Sequence, residues 1–373
     1  MSFIKPILYV LVLCIAYVSA QEKIYTTSDG VKFKIETVLS NLEIPWTIVF
    51  DKAGTMYFTE RPGRVQMLPK GATQPTLIAT IDEVRHRGEG GLMGLALHPN
   101  FESNGLLYLS YTLEFQGASA NRVVRYRLRN GALSDKKEIG PVLPGSSVHN
   151  GCRIKFGPDG KLYVTAGDAA ERSIAQDRNS LGGKILRMND DGSIPADNPF
   201  PRLSVFALGI RNAQGIAWHP ESKVMFQTEH GPSGFDGPGG GDEVNIIEAG
   251  KNYGWPVIHH QDRNVGMESP LLEYSPAVAP ASAMFYSGDV FPKFKNNFFF
   301  GGLRGTRIQR VMLDPANPRT VLKHEPLILG DFRRIRDVVE GPDGFIYFST
   351  SNRDGRAQPF DTDDRILRIV PVN

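Results

Sequence analysis

Cysteine is nearly absent from this sequence: the 373 residues hold two, Cys14 and Cys152. If Cys14 leaves with a leader segment, Cys152 stands alone and no disulfide can form within the chain. Cys152 lies two residues before an apolar strand, so a buried structural thiol is expected rather than a reactive one. Charge of one sign is missing too. Lys and Arg number 42 against 40 Asp and Glu, a net +2, which gives no basis for nucleic-acid binding. After residue 20 no apolar run is long enough to span a membrane. No long amphipathic helix and no interdomain linker stand out. Whole classes of chemistry lack their signatures. There is no Gly-x-Ser-x-Gly elbow, no phosphate-binding loop and no dinucleotide fingerprint after a strand. No histidine–cysteine cluster has the spacing of zinc ligands.

Glycine and proline are plentiful, at 39 and 26 residues, which fits many short strands joined by tight turns. The first twenty residues read as an export signal. Lys5 precedes the apolar stretch Ile7–Val18, and Val18-Ser19-Ala20 forms a small-residue cleavage site before Gln21. Leu13 is bulky where a lipidated cysteine at 14 needs a small neighbour. The expectation is an exported protein, periplasmic or secreted, with residues 22–373 forming one domain.

One stretch sets the pattern for the rest. Val148–Asp168 reads VHNGCRIKFGPDGKLYVTAGD. It holds a histidine, a short apolar strand (154–156), a Gly-Pro-Asp-Gly turn (157–160) and a second strand (161–166). Proline presets φ at the second turn position, and glycine suits the fourth. Similar aromatic strands recur at 56–59, 107–110, 162–165, 224–227, 298–300 and 346–349. Five of the six follow a turn signal. Strands at 122–128, 184–188, 307–313 and 365–370 alternate basic and apolar residues with a period of two. A spacing of about 50 to 70 residues approaches that of propeller blades with added loop length. The sequence therefore predicts an all-β fold, a six-bladed β-propeller of four-stranded antiparallel blades. The last strand is expected to close the ring by pairing near Lys32–Thr37.

In such a ring, loops from different repeats meet at one face. His149 precedes a strand there and can take a proton near neutral pH; a loop histidine bonded to backbone is the alternative. Arg211-Asn212 occupies the matching place in the next repeat, and Arg334-Ile335-Arg336-Asp337 in the last. Alternation puts Arg334 and Arg336 on one side of a strand, where they repel unless an anion or carboxylates hold them. Arg304 adds a third cation. Together these favour an anionic ligand at the channel mouth, with solvated or ion-paired arginines as the alternative. The run Thr228–Asn245 offers the oxygens of Glu229, Asp236, Asp242 and Glu243, a chemistry suited to calcium, without the spacing of an EF-hand.

An ordered set of motifs then resembles the PQQ-dependent aldose sugar dehydrogenases, relatives of soluble glucose dehydrogenase. It comprises Ile44-Pro45-Trp46, Thr59-Glu60-Arg61, Gly88–Leu92, His149-Asn150-Gly151, Arg211-Asn212, His230-Gly231-Pro232, Gly241–Asn245, Asn252–Pro256, Leu303-Arg304-Gly305 and Arg334–Asp337. The resemblance covers nearly the whole chain after the leader. It implies a six-bladed propeller that binds pyrroloquinoline quinone (PQQ), a tricarboxylate, and calcium. It implies His149 as the base toward a sugar's anomeric hydroxyl and Arg336 as the stabiliser of negative charge. It places Glu89, Arg211, Asn212, Leu303, Arg304, Gly305, Arg334, Ile335 and Arg336 around the cofactor. Gly231 and Pro232 would supply carbonyls to one calcium, and Glu243 and Tyr253 would serve a second. The expected reaction oxidises an aldose to an aldonolactone, with electrons passing on to an acceptor. Three positions depart from the pattern of glucose-specific relatives: Glu89, His230 and Arg304. A carboxylate at 89 would oppose an anionic cofactor if ionised. Two other functions fit a propeller: a cofactor-free module that binds a glycan or protein, and a calcium-dependent lactonase.

Overall fold

A computed structural model describes residues 23–372, so the expected leader and Cys14 lie outside the described residues. Six antiparallel sheets stand as blades around a ring. Their innermost strands are Pro45–Phe50, Leu92–Leu97, Gly151–Phe156, Ala213–Trp218, Pro280–Phe285 and Ile335–Glu340. Each packs beside the next, and the last returns to the first. Five blades have four strands. The sixth gains a two-residue outer strand, Tyr25–Thr26, beyond the four expected.

The ring closes where the sequence predicts. Ile366–Pro371 pairs antiparallel with Lys32–Leu39, in a register running from Phe33 opposite Pro371 to Leu39 opposite Ile366. The closing blade thus joins three late strands to two early ones. Among the described residues, helix is confined to one α-turn, Phe101–Asn104, and two 3-10 turns, Arg172–Ala175 and Pro292–Phe294. None is long and apolar enough to cross a membrane.

The hydrophobic core lies between blades rather than within one. Phe298 and Phe300 of the fifth blade pack on Ala217, Phe226 and Val244 of the fourth. Both phenylalanines are fully buried, and each contributes about 1.5–3 kcal/mol by leaving water. Inner strands approach closely because some positions carry no side chain. A Cβ at Gly94 would run into the Cys152 carbonyl and the Ser110 hydroxyl of its neighbours. The repeat has a local lock as well. Turn residues Asp51, Asp159 and Asp343 accept hydrogen bonds from the hydroxyls of Tyr57, Tyr163 and Tyr347, each on the strand that follows. Cys152 is buried, as expected.

Candidate active site at the channel mouth

The residues just before the inner strands all emerge at one end of the ring, together with the loops between second and third strands. They enclose a cavity of about 410 Å³. Its walls include Glu89, His149, Arg211, Gly231, Pro232, Leu303, Arg304 and Arg334, eight of the positions the sequence singled out. His230, Phe235, Asp242 and Arg356 line it too.

His149 sits in left-handed backbone at φ +55°, uncommon for a side chain of its size. Gly167 permits this, because any Cβ there would strike the His149 carbonyl. The imidazole Nδ1 lies 2.8 Å from Asp168 Oδ1. Asp168 also accepts from the Trp255 indole at 2.8 Å and from the Ala170 N–H at 2.9 Å. A carboxylate so placed requires the proton on Nδ1 and leaves Nε2 as an acceptor. His149 therefore has the tautomer and the fixed orientation of a general base.

Six arginines gather around the cavity: Arg61, Arg211, Arg304, Arg334, Arg336 and Arg356. Three have carboxylate partners. Arg211 meets Asp236 at 2.8 Å, Arg334 meets Asp354 at 2.8 Å, and Arg356 meets Glu89 at 2.6 Å. Arg61, Arg304 and Arg336 have no carboxylate partner among the described residues. Arg61 donates to His86 Nε2 at 2.9 Å. Burial pushes the Arg336 guanidinium down to about 9, opposed by Asp354 and aided by Arg334 and Arg61, so it stays charged at neutral pH. Its NH1 donates to Gln214 at 2.9 Å, while its buried Nε has no partner. Asn212 Nδ2 and His230 Nε2 are likewise buried without partners among the described residues. Each such group costs about 1–3 kcal/mol until an occupant satisfies it. The donor set therefore fits an acceptor-rich, anionic group.

The structure corrects several expectations. Glu89 is ionised without opposing an anion. Burial alone would raise its carboxyl, but Arg356, His230 and the His149 N–H outweigh burial and hold it down to about 2. Its charge is spent on Arg356 and on the His149 backbone, 3.0 Å away. Arg211 is no free cation, since Asp236, Ser233 and the His230 carbonyl take its donors. Ile335 turns its side chain into the core beside Phe299 and Val338, leaving only backbone for the cavity. Arg334 precedes its strand, and a register shift follows Ile335, so simple alternation is not what groups it with Arg336. Gly305 bonds the Val278 carbonyl and packs against Val278 instead of lining the cavity.

The expected metal residues divide. Gly231 and Pro232 lie on the cavity wall. Glu243 faces Glu229 across adjacent strands. Burial raises Glu229 to about 7, and burial plus the Glu229 charge raises Glu243 well above the carboxylate range. Such a pair calls for a shared proton or a cation. The Tyr253 hydroxyl is committed to the Ile246 carbonyl and the Glu248 N–H, which leaves its own carbonyl for any ion. Among the described residues, no three His, Cys, Asp or Glu side chains form a metal-holding group.

A model of the glucose/sorbosone dehydrogenases matches residues 42–366. The chain belongs to the glucose/sorbosone dehydrogenase family. It is 32% identical over 364 residues to aldose sugar dehydrogenase YliI of Escherichia coli, covering 91% of this chain and 93% of that one. It is 26% identical over 433 residues to quinoprotein glucose dehydrogenase B of Acinetobacter calcoaceticus, covering 90% and 89%. The PQQ-bound aldose sugar dehydrogenase of Streptomyces coelicolor superposes with a TM-score of 0.80 at 31% identity, covering 91% and 98%.

Four residues of this family member's site escaped the sequence reading. Asp168 and Trp255 orient the His149 ring, Arg356 neutralises Glu89, and Phe235 stacks on the His149 ring at 6.2 Å and 22°. Only Asp168 had a readable signal. Running the hairpin of 154–156 and 161–166 outward brings 168 opposite 149.

Proposed function

We propose that this protein is a PQQ- and calcium-dependent dehydrogenase that oxidises aldose sugars to aldonolactones. The reading rests on the cavity beside His149, whose wall carries Arg304 without a carboxylate partner among the described residues, together with Arg334 and His230. Arg304, Arg334, Arg336 and Asn212 would hold the carboxylates and carbonyl rim of PQQ. Bound there, PQQ supplies the two-electron acceptor. His149 takes the proton of the anomeric hydroxyl at Nε2, and Asp168 stabilises the imidazolium that results. Arg336 holds the negative charge that accumulates in the cavity. Calcium would sit at the Gly231 and Pro232 carbonyls, and a second at Glu243 and the Tyr253 carbonyl. We read the chain as exported, with its first twenty residues removed.

Titrating the protein with PQQ and calcium should change the quinone absorbance and yield sugar-dependent reduction of an artificial dye. No spectral change would sink the proposal. His149→Ala should lower turnover by about 10²–10⁴-fold while quinone uptake persists. Chelating calcium should abolish dye reduction until calcium is restored. Gluconolactone hydrolysis without quinone would instead point to a hydrolase.

A further inference from the structure

The reading above leaves one large side chain at the cavity without a task. Phe235 is 72% exposed, although it borders the cavity and stacks on the imidazole of His149. An aromatic ring left in water forgoes about 1.5–3 kcal/mol that an occupant would recover by covering it. The loop does not let it swing freely. Asp236 is pinned by Arg211 Nε at 2.8 Å and by the Ser233 N–H at 2.9 Å, and its carbonyl accepts from Arg172 at 2.9 Å. Gly234, at φ +90°, turns the chain just before the ring.

The cavity thus has two chemistries. Arg304 and Arg334 supply cationic donors that suit carboxylates. Around His149 the wall offers Glu89, already paired with Arg356, and the uncharged Phe235 and Pro232. A sugar whose anomeric hydroxyl reaches His149 must bring its ring carbons alongside Phe235. We propose that Phe235 is the platform for the apolar C–H face of an aldopyranose, and so a specificity-determining residue for the sugar and not for the quinone. This rests on the proposed function. A phenyl ring carries no hydrogen-bonding atom, so it selects a ring with an uninterrupted C–H face and disfavours a sugar whose axial hydroxyl breaks that face.

The test compares wild type, Phe235→Ala and Phe235→Trp, with melting temperature measured first to establish that all three are folded. PQQ affinity is read by absorbance and glucose kinetics by dye reduction. In Phe235→Ala, KM for glucose should rise about tenfold with kcat held within about threefold, the pattern of lost uniform binding. PQQ affinity should be unchanged, and Phe235→Trp should restore KM. An unchanged KM overturns the proposal. So does an equal loss of PQQ affinity, which would place the ring at the quinone. If wild type takes up no PQQ, the parent reading falls, and saturation-transfer NMR with glucose decides the platform alone. Transfer in wild type that Phe235→Ala abolishes sustains it; no difference between the two ends it.

Discussion

Two buried arginines meet opposite treatment in this molecule. Arg310, in the fifth blade, has every donor group engaged. It bonds Asn297 at 2.7 Å, both oxygens of Asp29 at 2.9 and 3.0 Å, the Lys293 carbonyl at 2.6 Å and Glu325 at 3.3 Å. Arg336, at the channel mouth, has one hydrogen bond to Gln214 and an orphaned Nε. The first ties the N-terminal segment to the fifth blade. The second keeps a desolvated charge that Asp354 and Glu89 offset only from a distance, which folding alone does not favour. The difference separates a cation whose donors the scaffold fully engages from one that keeps a donor unused among the described residues.

The comparison can be broken by mutation. Arg310→Met should cost about 3 kcal/mol in denaturant unfolding, because it strands Asp29 and Glu325. Arg336→Met should change folding by less than about 1 kcal/mol yet weaken PQQ uptake at least about tenfold. Equal destabilisation by the two variants would erase the distinction.

Lys155, at the far end of the inner strand Gly151–Phe156, sharpens it. Its Nζ bonds only the Ala283 carbonyl, and burial lowers the amine to about 8, with Arg153 adding to the shift. Between that value and the ordinary 10.5, the unfolded chain binds a proton that the folded one does not. Stability from this group therefore rises with pH across that window and is lost as pH falls toward 8. Melting temperatures of Lys155→Met should show a flatter rise there than wild type. The smallest effect belongs to Cys152, whose thiol burial pushes up to about 12. A thiol reagent should leave the native protein unlabelled and react only on unfolding. Cys152→Ala should leave turnover unchanged.

The blades were legible because strand period and turn chemistry are local. Gly157-Pro158-Asp159-Gly160 announces its hairpin whatever surrounds it, and ring closure follows from the repeat. His149 and Arg334 were legible because each directly precedes the inner strand of its repeat. Arg356 was not, although like Arg304 it lies in its blade's loop between second and third strands, because its contact with Glu89 spans 267 residues. Phe235 lay hidden in a run dominated by glycine and acidic oxygens. The committed state of Arg211 could not be read either, because pairing with Asp236 depends on how the glycine-rich loop folds back. Periodicity reports elements; it says little about which charges are already spoken for.

The sixth blade dictates an order of events. Its strands come from both extremities of the chain, so the ring stays open until the last strand has been synthesised and docked on the first. The pocket draws its walls from loops of five of the six blades, so its shape depends on the ring that this strand closes.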